Sequence, residues 1–440
     1  MLRRRSATTT EADQLKRETT GELPKVAVIG LGYIGLPTAA ILASTGHDVV
    51  GVDVNSRTVD AVNRGEVPFV EPDLASYVAG AVSRGKLSAT TETPRADIYI
   101  IAVPTPLTDR KSPDISYIEA AARGIAPQLK SGNLVILEST SPPGTTEYLG
   151  QYLDQLRPDL ALNPDPAAEA HGRLIHLAHC PERVLPGRVM IELVTNDRIV
   201  GGLTPEASRL SKALYSTFCQ GEILTTNART AEAAKLVENA YRDVNIAFAN
   251  ELSLVSARLD VDVWELIGLA NHHPRVNILQ PGPGVGGHCI AVDPWFMIAA
   301  APEEALLMRQ ARSTNDAKPA WVVDQVSAAV ADNPAPTIAA LGLAFKANID
   351  DLRESPAVRI VQDMAGKIPQ ARILAVDPHI DALPAALEGL GNVKLAGREE
   401  AAAAADVVVL LVDHDAFKEM DRSALAGKKV IDTRGIWRSR

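Results

Sequence analysis

The residue of this chain best suited to covalent chemistry is Cys289. It stands in Gly284-Val285-Gly286-Gly287-His288-Cys289-Ile290-Ala291-Val292-Asp293. Glycines at that density let a backbone press against a ligand and expose its N–H groups. A thiol among them, with a carboxylate four residues on, suits an activated nucleophile. Cys180 and Cys219 lack such a setting and read as small buried hydrophobes. None of the three forms a C-x-x-C pair, so neither a metal site nor a disulfide framework is indicated.

A second set is Lys235-x-x-x-Asn239-x-x-Arg242, whose spacings of four and seven fall on one stripe of a helix. A solvated face is the ordinary origin of such residues, but Ala233, Ala234 and Val237 around them are apolar. A partly buried lysine can shift its pKa and serve as acid or base.

A third set could hold phosphates. Gly30-x-Gly32-x-x-Gly35 follows the apolar run KVAVIG and opens a helix. Three such glycines allow a tight turn, close approach of a pyrophosphate, and close helix–strand packing. The helix start offers unbonded N–H groups to the phosphates. Asp53 ends the next strand, where a carboxylate binds ribose hydroxyls and repels a ribose phosphate, so NAD is expected over NADP. Val103-Pro104-Thr105-Pro106 and Ser139-Thr140-Ser141-Pro142-Pro143-Gly144-Thr145-Thr146 close two further strands. Their hydroxyls either reach a ligand or cap the helix that follows. Lys346, Arg353 and Arg434 form a basic group near the C-terminus, with Lys346 and Arg434 just after strand-like runs. They either meet a diphosphate or make ordinary surface ion pairs.

The elements that must carry these residues are legible as apolar runs. Lys25 to Gly30, DVVGVD ending at Asp53, Asp97 to Val103, and Asn133 to Thr140 read as buried parallel strands with helices between them. That is a doubly wound α/β domain, expected over 23–205. From Thr230 to Leu259 there is neither Pro nor Gly, which predicts one helix of about 45 Å. It belongs to a helical middle domain, expected over 206–330. TIAALGLAF, ARILAVDP, DVVVLLVD and KKVIDTR then restart the alternation, predicting a smaller second α/β domain over 331–440. The expected fold class is therefore α/β: two Rossmann-like doubly wound domains joined by a helical middle domain with a long central helix.

The 440 residues suffice for two or three cores, and a net charge of -10 argues against a nucleic-acid partner. No run of about 18 apolar residues appears, so no membrane span is expected. Residues 1–22 are charged, lack the apolar core of a signal peptide, and read as a disordered extension. Sparse, odd cysteines fit a reducing, cytoplasmic setting.

Taken in order, GLGYIGLP, VPTP, STSPPGTT, CPERVLPG, KLVENAYRDVNIAFANEL, GPGVGGHCIAVDP, GLAFKANIDDLRESP and VIDTRG resemble the blocks of the UDP-glucose/GDP-mannose dehydrogenase family, from about Lys25 to Trp437. The resemblance implies an NAD-dependent, four-electron oxidation of a UDP-sugar alcohol to an acid, with Cys289 carrying a thiohemiacetal and then a thioester. It implies acid–base or oxyanion work for Lys235, oxyanion or water binding for Asn239, a role beside the thiol for Asp293, and water positioning for Glu182 and Thr140. NAD contacts are implied for Gly30, Gly32, Tyr33, Ile34, Gly35, Asp53, Arg57, Thr105, Thr140 and Arg353. Nucleotide-sugar contacts are implied for Arg183, Val184, Lys235, Asn239, Arg242, His273, Arg275, Gly286, Lys346 and Arg434. The family's long helix forms a dimer core, so a homodimer is expected. Residues 271–280 resemble the branch acting on UDP-N-acetyl-D-mannosamine, which usually carries Arg where His272 stands here. The same chemistry on UDP-N-acetylglucosamine or UDP-glucose is the nearest rival. A two-electron hydroxyacid dehydrogenase would need neither Cys289 nor the last ~105 residues.

Overall fold

The computed structural model describes residues 23–161, 173–287 and 289–437. The N-terminal extension 1–22 and His288 lie outside them. The chain divides into two compact units between Val237 and Glu238, inside the helix Ala228–Leu259.

The first unit is built on a sheet of eight strands: β1 (Val26–Ile29), β2 (Val49–Val52), β3 (Leu87–Thr90), β4 (Ile98–Ile101), β5 (Leu134–Leu137), β6 (His176–His179), β7 (Arg198–Gly202) and β8 (Ile223–Asn227). Their order is β3-β2-β1-β4-β5-β6-β7-β8, and every pair is parallel except β6 with β7. β1, β4 and β5 are buried at every residue, which is why they read as unbroken apolar runs. Apolar side chains on the two sheet faces form two separate clusters, one holding Val26, Val28 and Ile100, the other Ala27, Tyr99 and Ile101. Alternate residues of one strand thus feed opposite layers, as the two-residue period demands.

The sheet does not stop at the expected boundary of 205. Pro205–Tyr215 is the helical crossover of a further parallel pair, β7 and β8, so the helical middle region begins at Ala228. A parallel pair needs such a crossover. β8 (ILTTN) is short, polar and an edge strand, which hid it from an apolar-run reading.

The second unit contains most of the long helix, the helices Val263–Ala270, Asp293–Ala300 and Leu306–Ala329, and a five-stranded parallel sheet. Its strands are β9 (Thr337–Leu341), β10 (Arg372–Val376), β11 (Val393–Leu395), β12 (Val407–Leu410) and β13 (Lys429–Asp432), ordered β11-β10-β9-β12-β13. Four were expected; β11 is the fifth, a three-residue edge strand. No helix among the described residues is long and apolar enough to cross a membrane.

Both sheets end their first strand with the same device. Gly30 (φ +97°) and Gly342 (φ +95°) turn the chain, and each donates its N–H at 2.7 Å to the neighbouring strand, at Val52 and Val376. In the first unit Asp53 Oδ2 accepts from Leu31 N–H and Oδ1 from Asn55 N–H, both at 2.9 Å. In the second, Asp377 Oδ2 accepts from Leu343 N–H at 2.8 Å and Oδ1 from His379 N–H at 2.9 Å. The second carboxylate has further partners: its Oδ2 also accepts from Ala344 N–H at 3.1 Å. Asp377 also accepts from the buried ring of His414, at 3.2 Å. Asn348 N–H donates to Nδ1 of that ring, leaving the ring proton on Nε2 facing the carboxylate.

Candidate functional site

In the first unit the three motif glycines do three different jobs. A Cβ on Gly30 would stand 2.6 Å from the Ala102 carbonyl oxygen, and one on Gly35 would strike the Gly30 carbonyl. One on Gly32 would meet nothing within 4 Å. The open face at Gly32, at the start of the helix Gly35–Ser44, fits the approach of a dinucleotide pyrophosphate. The half-buried Asp53 is held by two backbone N–H groups at the end of β2, a fit for ribose hydroxyls. Tyr33 stacks on Phe69 with ring centres 5.0 Å apart and donates to Glu71 at 2.7 Å. Ile34 is half-buried, and Arg57 lies exposed in the first turn of the helix Ser56–Asn63.

Thr140 joins two of the predicted loops to the long helix. Its carbonyl accepts from the Thr105 hydroxyl at 2.5 Å, and its own Oγ1 accepts from Lys235 Nζ at 2.5 Å. Lys235 is buried there. Burial and the Lys235 charge push His179 down to about 3, so its ring is neutral. The helix Thr145–Leu156 gets no cap from its own threonines. Instead Glu232, buried in the first turns of the long helix, accepts from Gly144 N–H at 2.5 Å, Thr146 N–H at 2.7 Å and the Thr146 hydroxyl at 2.6 Å. That capping carboxylate lies three residues before Lys235 and fixes where the helix starts. Nothing in the local sequence announces it, because its partners lie 86 and 88 residues away.

Glu182 belongs to a buried network. Its Oε1 accepts from Arg183 N–H at 2.7 Å and its Oε2 from Arg198 at 3.1 Å. Arg198 also lies 4.7 Å from the centre of the Tyr215 ring and bonds Cys180 Sγ. The Tyr215 hydroxyl donates to Glu138 at 2.8 Å, and that of Thr38 at 3.1 Å. Val184 packs against the core, and Arg183 donates to the Asp197 carbonyl. Burial pushes the Cys180 thiol up to about 12, which agrees with a structural role.

Burial raises the Glu138 carboxyl to about 7, against the opposing pull of Arg198. A carboxyl raised by folding makes the native state bind its proton more tightly than the unfolded chain does. That stability is fully present below the ordinary value of 4.5 and is lost as pH rises through 7. The loss is roughly 3 kcal/mol by linkage. Glu138→Gln removes the titration, so urea unfolding of the variant gains on the wild type between pH 5 and pH 8. A difference that stays constant over that range would clear Glu138 of the effect.

In the second unit Cys289 has an exposed side chain. Its carbonyl accepts from Val292 N–H at 3.1 Å and Asp293 N–H at 2.8 Å, and so starts the helix Asp293–Ala300. Asp293 is buried, and Asn239 donates to its Oδ2 at 2.5 Å. The Cys289 backbone, Asp293 and the Asn239 amide are thereby linked. The glycines before Cys289 also make room for the chain itself. A Cβ on Gly286 would stand 2.5 Å from the Glu354 carbonyl oxygen, and one on Gly287 2.9 Å from the Phe345 ring. They let the backbone pass close to the 345–356 segment.

The other residues expected to meet the nucleotide sugar, and Arg353, expected to meet NAD, are spread over this unit. Arg242 is exposed on the long helix. His273 and Arg275 lie in an exposed loop that Asn271 staples, bonding both N–H and carbonyl of Ile278 at 2.7 and 3.0 Å. Lys346 is exposed; Arg353 grips Asp351 with two bonds, and Arg434 pairs with Asp413 at 2.9 Å. The Asn271 staple was missed in the sequence, although an Asn opening a short polar loop is a signal for one.

Residues 24–219 match the NAD binding domain of the UDP-glucose/GDP-mannose dehydrogenase family, 229–317 its central domain, and 339–439 its UDP binding domain. The chain belongs to the UDP-glucose/GDP-mannose dehydrogenase family. Similar proteins include an NDP-N-acetyl-D-galactosaminuronic acid dehydrogenase of Ralstonia nicotianae, 58% identical over 94% of this chain and 96% of that one. A UDP-N-acetyl-D-mannosamine dehydrogenase of Salmonella typhi is 57% identical over 94% and 99%. A solved structure of the UDP-D-ManNAc dehydrogenase from Pyrococcus horikoshii has a TM-score of 0.82 at 39% identity, covering 94% of this chain and 96% of that one. Membership of this dehydrogenase family accounts for the dinucleotide turn at Gly30–Gly35 and gives the second sheet its UDP binding role.

Proposed function

We propose that the chain oxidises the C6 alcohol of UDP-N-acetyl-D-mannosamine to the uronate in two NAD-dependent steps at Cys289. The observation that supports it is in the second unit: the backbone carbonyl of Cys289 accepts from Asp293 N–H, Asn239 donates to the Asp293 carboxylate, and the Cys289 residue is exposed. Bound NAD, held by Gly30, Gly32, Tyr33, Ile34, Gly35, Asp53, Arg57, Thr105, Thr140 and Arg353, supplies a hydride acceptor for each oxidation. Lys235 takes the alcohol proton as C6 is oxidised to the aldehyde. The Cys289 thiolate adds to the aldehyde carbon, forming a C–S bond, and the new alkoxide takes the proton back from Lys235 to give a thiohemiacetal. Loss of a hydride from that carbon, with the hydroxyl proton passing to Lys235, leaves a thioester. Glu182 and Thr140 position a water whose oxygen joins the acyl carbon as the C–S bond breaks, releasing carboxylate and thiol. Asn239 and Lys235 stabilise the oxyanions on the way. Arg183, Val184, Arg242, His273, Arg275, Gly286, Lys346 and Arg434 bind the nucleotide sugar.

The manno sugar is favoured by residues 271–280 and by relatives of 53–57% identity named for it. The relative named for the galacto sugar, at 58%, supports a second reading. A panel of UDP-N-acetylmannosamine, UDP-N-acetylgalactosamine, UDP-N-acetylglucosamine and UDP-glucose decides by kcat/KM, with two NADH expected per acid. Turnover of UDP-glucose alone would overturn both readings, and one NADH per product would overturn the mechanism.

The reading includes a cytoplasmic homodimer. Tyr241, Phe248, Val255 and Leu259 are exposed at spacings of seven, seven and four, one apolar stripe along the long helix. Sedimentation should give twice the chain mass for the wild type and a monomer for Phe248→Asp; a monomeric wild type would remove the dimer.

A further inference from the structure

The long helix holds the thiol segment at both ends. Asn239 and Asn250 are eleven residues apart, close to three turns, so they leave the helix on nearly the same side. Asn239 donates to the Asp293 carboxylate at 2.5 Å, and Asn250 Oδ1 accepts from Gly282 N–H at 2.8 Å. Gly282 and Asp293 are also eleven residues apart, and Cys289 lies between them.

Asn250 is fully buried, and its amide has no freedom of orientation. A backbone N–H only donates, so Gly282 fixes Oδ1 on its own side and sends Nδ2 to Asn315 Oδ1, 2.8 Å away. Asn315 Nδ2 then donates to Asp243 Oδ1 at 2.8 Å, and buried Arg312 donates to the same oxygen at 2.6 Å. Four buried polar side chains thus line the contact between the long helix and the helix Leu306–Ala329. Apolar residues would pack two helices at less desolvation cost. What the ladder adds is a defined position for Gly282, whose α-carbon also faces the Arg434 guanidinium, 2.6 Å from where a Cβ would stand.

We infer that Asn250 is a positioning residue for Cys289. With Asn239 it sets the two ends of the thiol segment, and the ladder through Asn315, Asp243 and Arg312 sets Asn250. This rests on the reading of Cys289 as the nucleophile. Displacing the thiol leaves the first oxidation intact and slows capture of the aldehyde.

The test uses the full chain and two readouts: aldehyde released per acid formed, trapped with semicarbazide, and the rate at which iodoacetamide alkylates Cys289, read from its peptide mass. Asn250→Ala should raise aldehyde release about tenfold, the cost of a small misplacement of a reacting group. It should also change the alkylation rate several-fold and leave the KM for NAD as it was. Asn250→Asp keeps the acceptor for Gly282 and should restore both readouts towards wild type. A purely structural role lowers the melting temperature and scales both oxidations together; an unchanged partition with unchanged alkylation overturns the inference. If Asn250→Ala does not fold, Asn315→Ala removes the acceptor that orients the Asn250 amide. Increased aldehyde release there supports the inference, and wild-type values for both readouts overturn it. Cys289→Ala runs beside them. If that variant still makes acid, the nucleophile reading itself fails; if it does not, and Asn250→Ala behaves as wild type, only this inference fails.

Discussion

Replacing Cys289 by alanine stops acid formation, with a fall of at least about 10³-fold, the scale on which loss of a covalent nucleophile is felt. The first oxidation survives, because hydride leaves C6 of the alcohol without help from sulfur. The variant therefore releases aldehyde and forms one NADH per sugar consumed. The side chain is exposed, so alanine leaves no cavity in the core and the melting temperature holds. Counting NADH against acid and trapped aldehyde reads the result directly. Two NADH per acid at the wild-type rate would take the thiol out of the reaction.

Lys235→Met has the second large effect. Its Nζ donates to Thr140 Oγ1 at 2.5 Å, and burial keeps the neighbouring His179 neutral. No second proton acceptor of the right strength is thereby offered by that ring. Loss of a positioned acid–base group lowers kcat by about 10²–10⁴-fold. Methionine keeps the length of the stem and removes a buried polar group, so folding is expected to hold. The KM for NAD stays near the wild-type value, since Asp53 and the glycine turn are untouched. A kcat within about threefold of wild type would assign the proton to another group.

Strands whose faces are both buried were legible from sequence, because burial on both sides leaves an apolar run. β1, β4 and β5 are of that kind. β6 reads HLAH and β8 ILTTN; their pairing is set by neighbours in the sheet, which a local pattern does not contain. The same division holds for the site. Lys235 and Asn239 stood out because helical spacing put them on one stripe. Asn250 and Glu232 lie on that same helix, yet they read as ordinary polar residues. Their meaning comes from Gly282, Gly144 and Thr146, far along the chain. Glu182 was expected beside a water; the buried Arg198 that takes one of its oxygens was invisible until β7 was placed. The glycines before Cys289 were visible as a cluster, but what they make room for, Phe345 and Glu354, lies some sixty residues on.

If the chain performs the proposed four-electron oxidation, the hydrogen bond between His414 and Asp377 bears on how it is timed. Two matching turns begin the two sheets, and only the one at Asp53 leaves its carboxylate without a histidine across it. With one such berth among the described residues, the proposed two-step oxidation would require the reduced carrier to be discharged and replaced before the second step. During that interval a loose aldehyde would diffuse away or react elsewhere. On the proposed mechanism the sulfur-linked intermediate would not leave, so the half-oxidised sugar would wait on the enzyme through the change of carrier. On this view the covalent bond to Cys289 is a mooring as much as a chemical step, and the lag it permits is set by how fast one coenzyme is exchanged for the next.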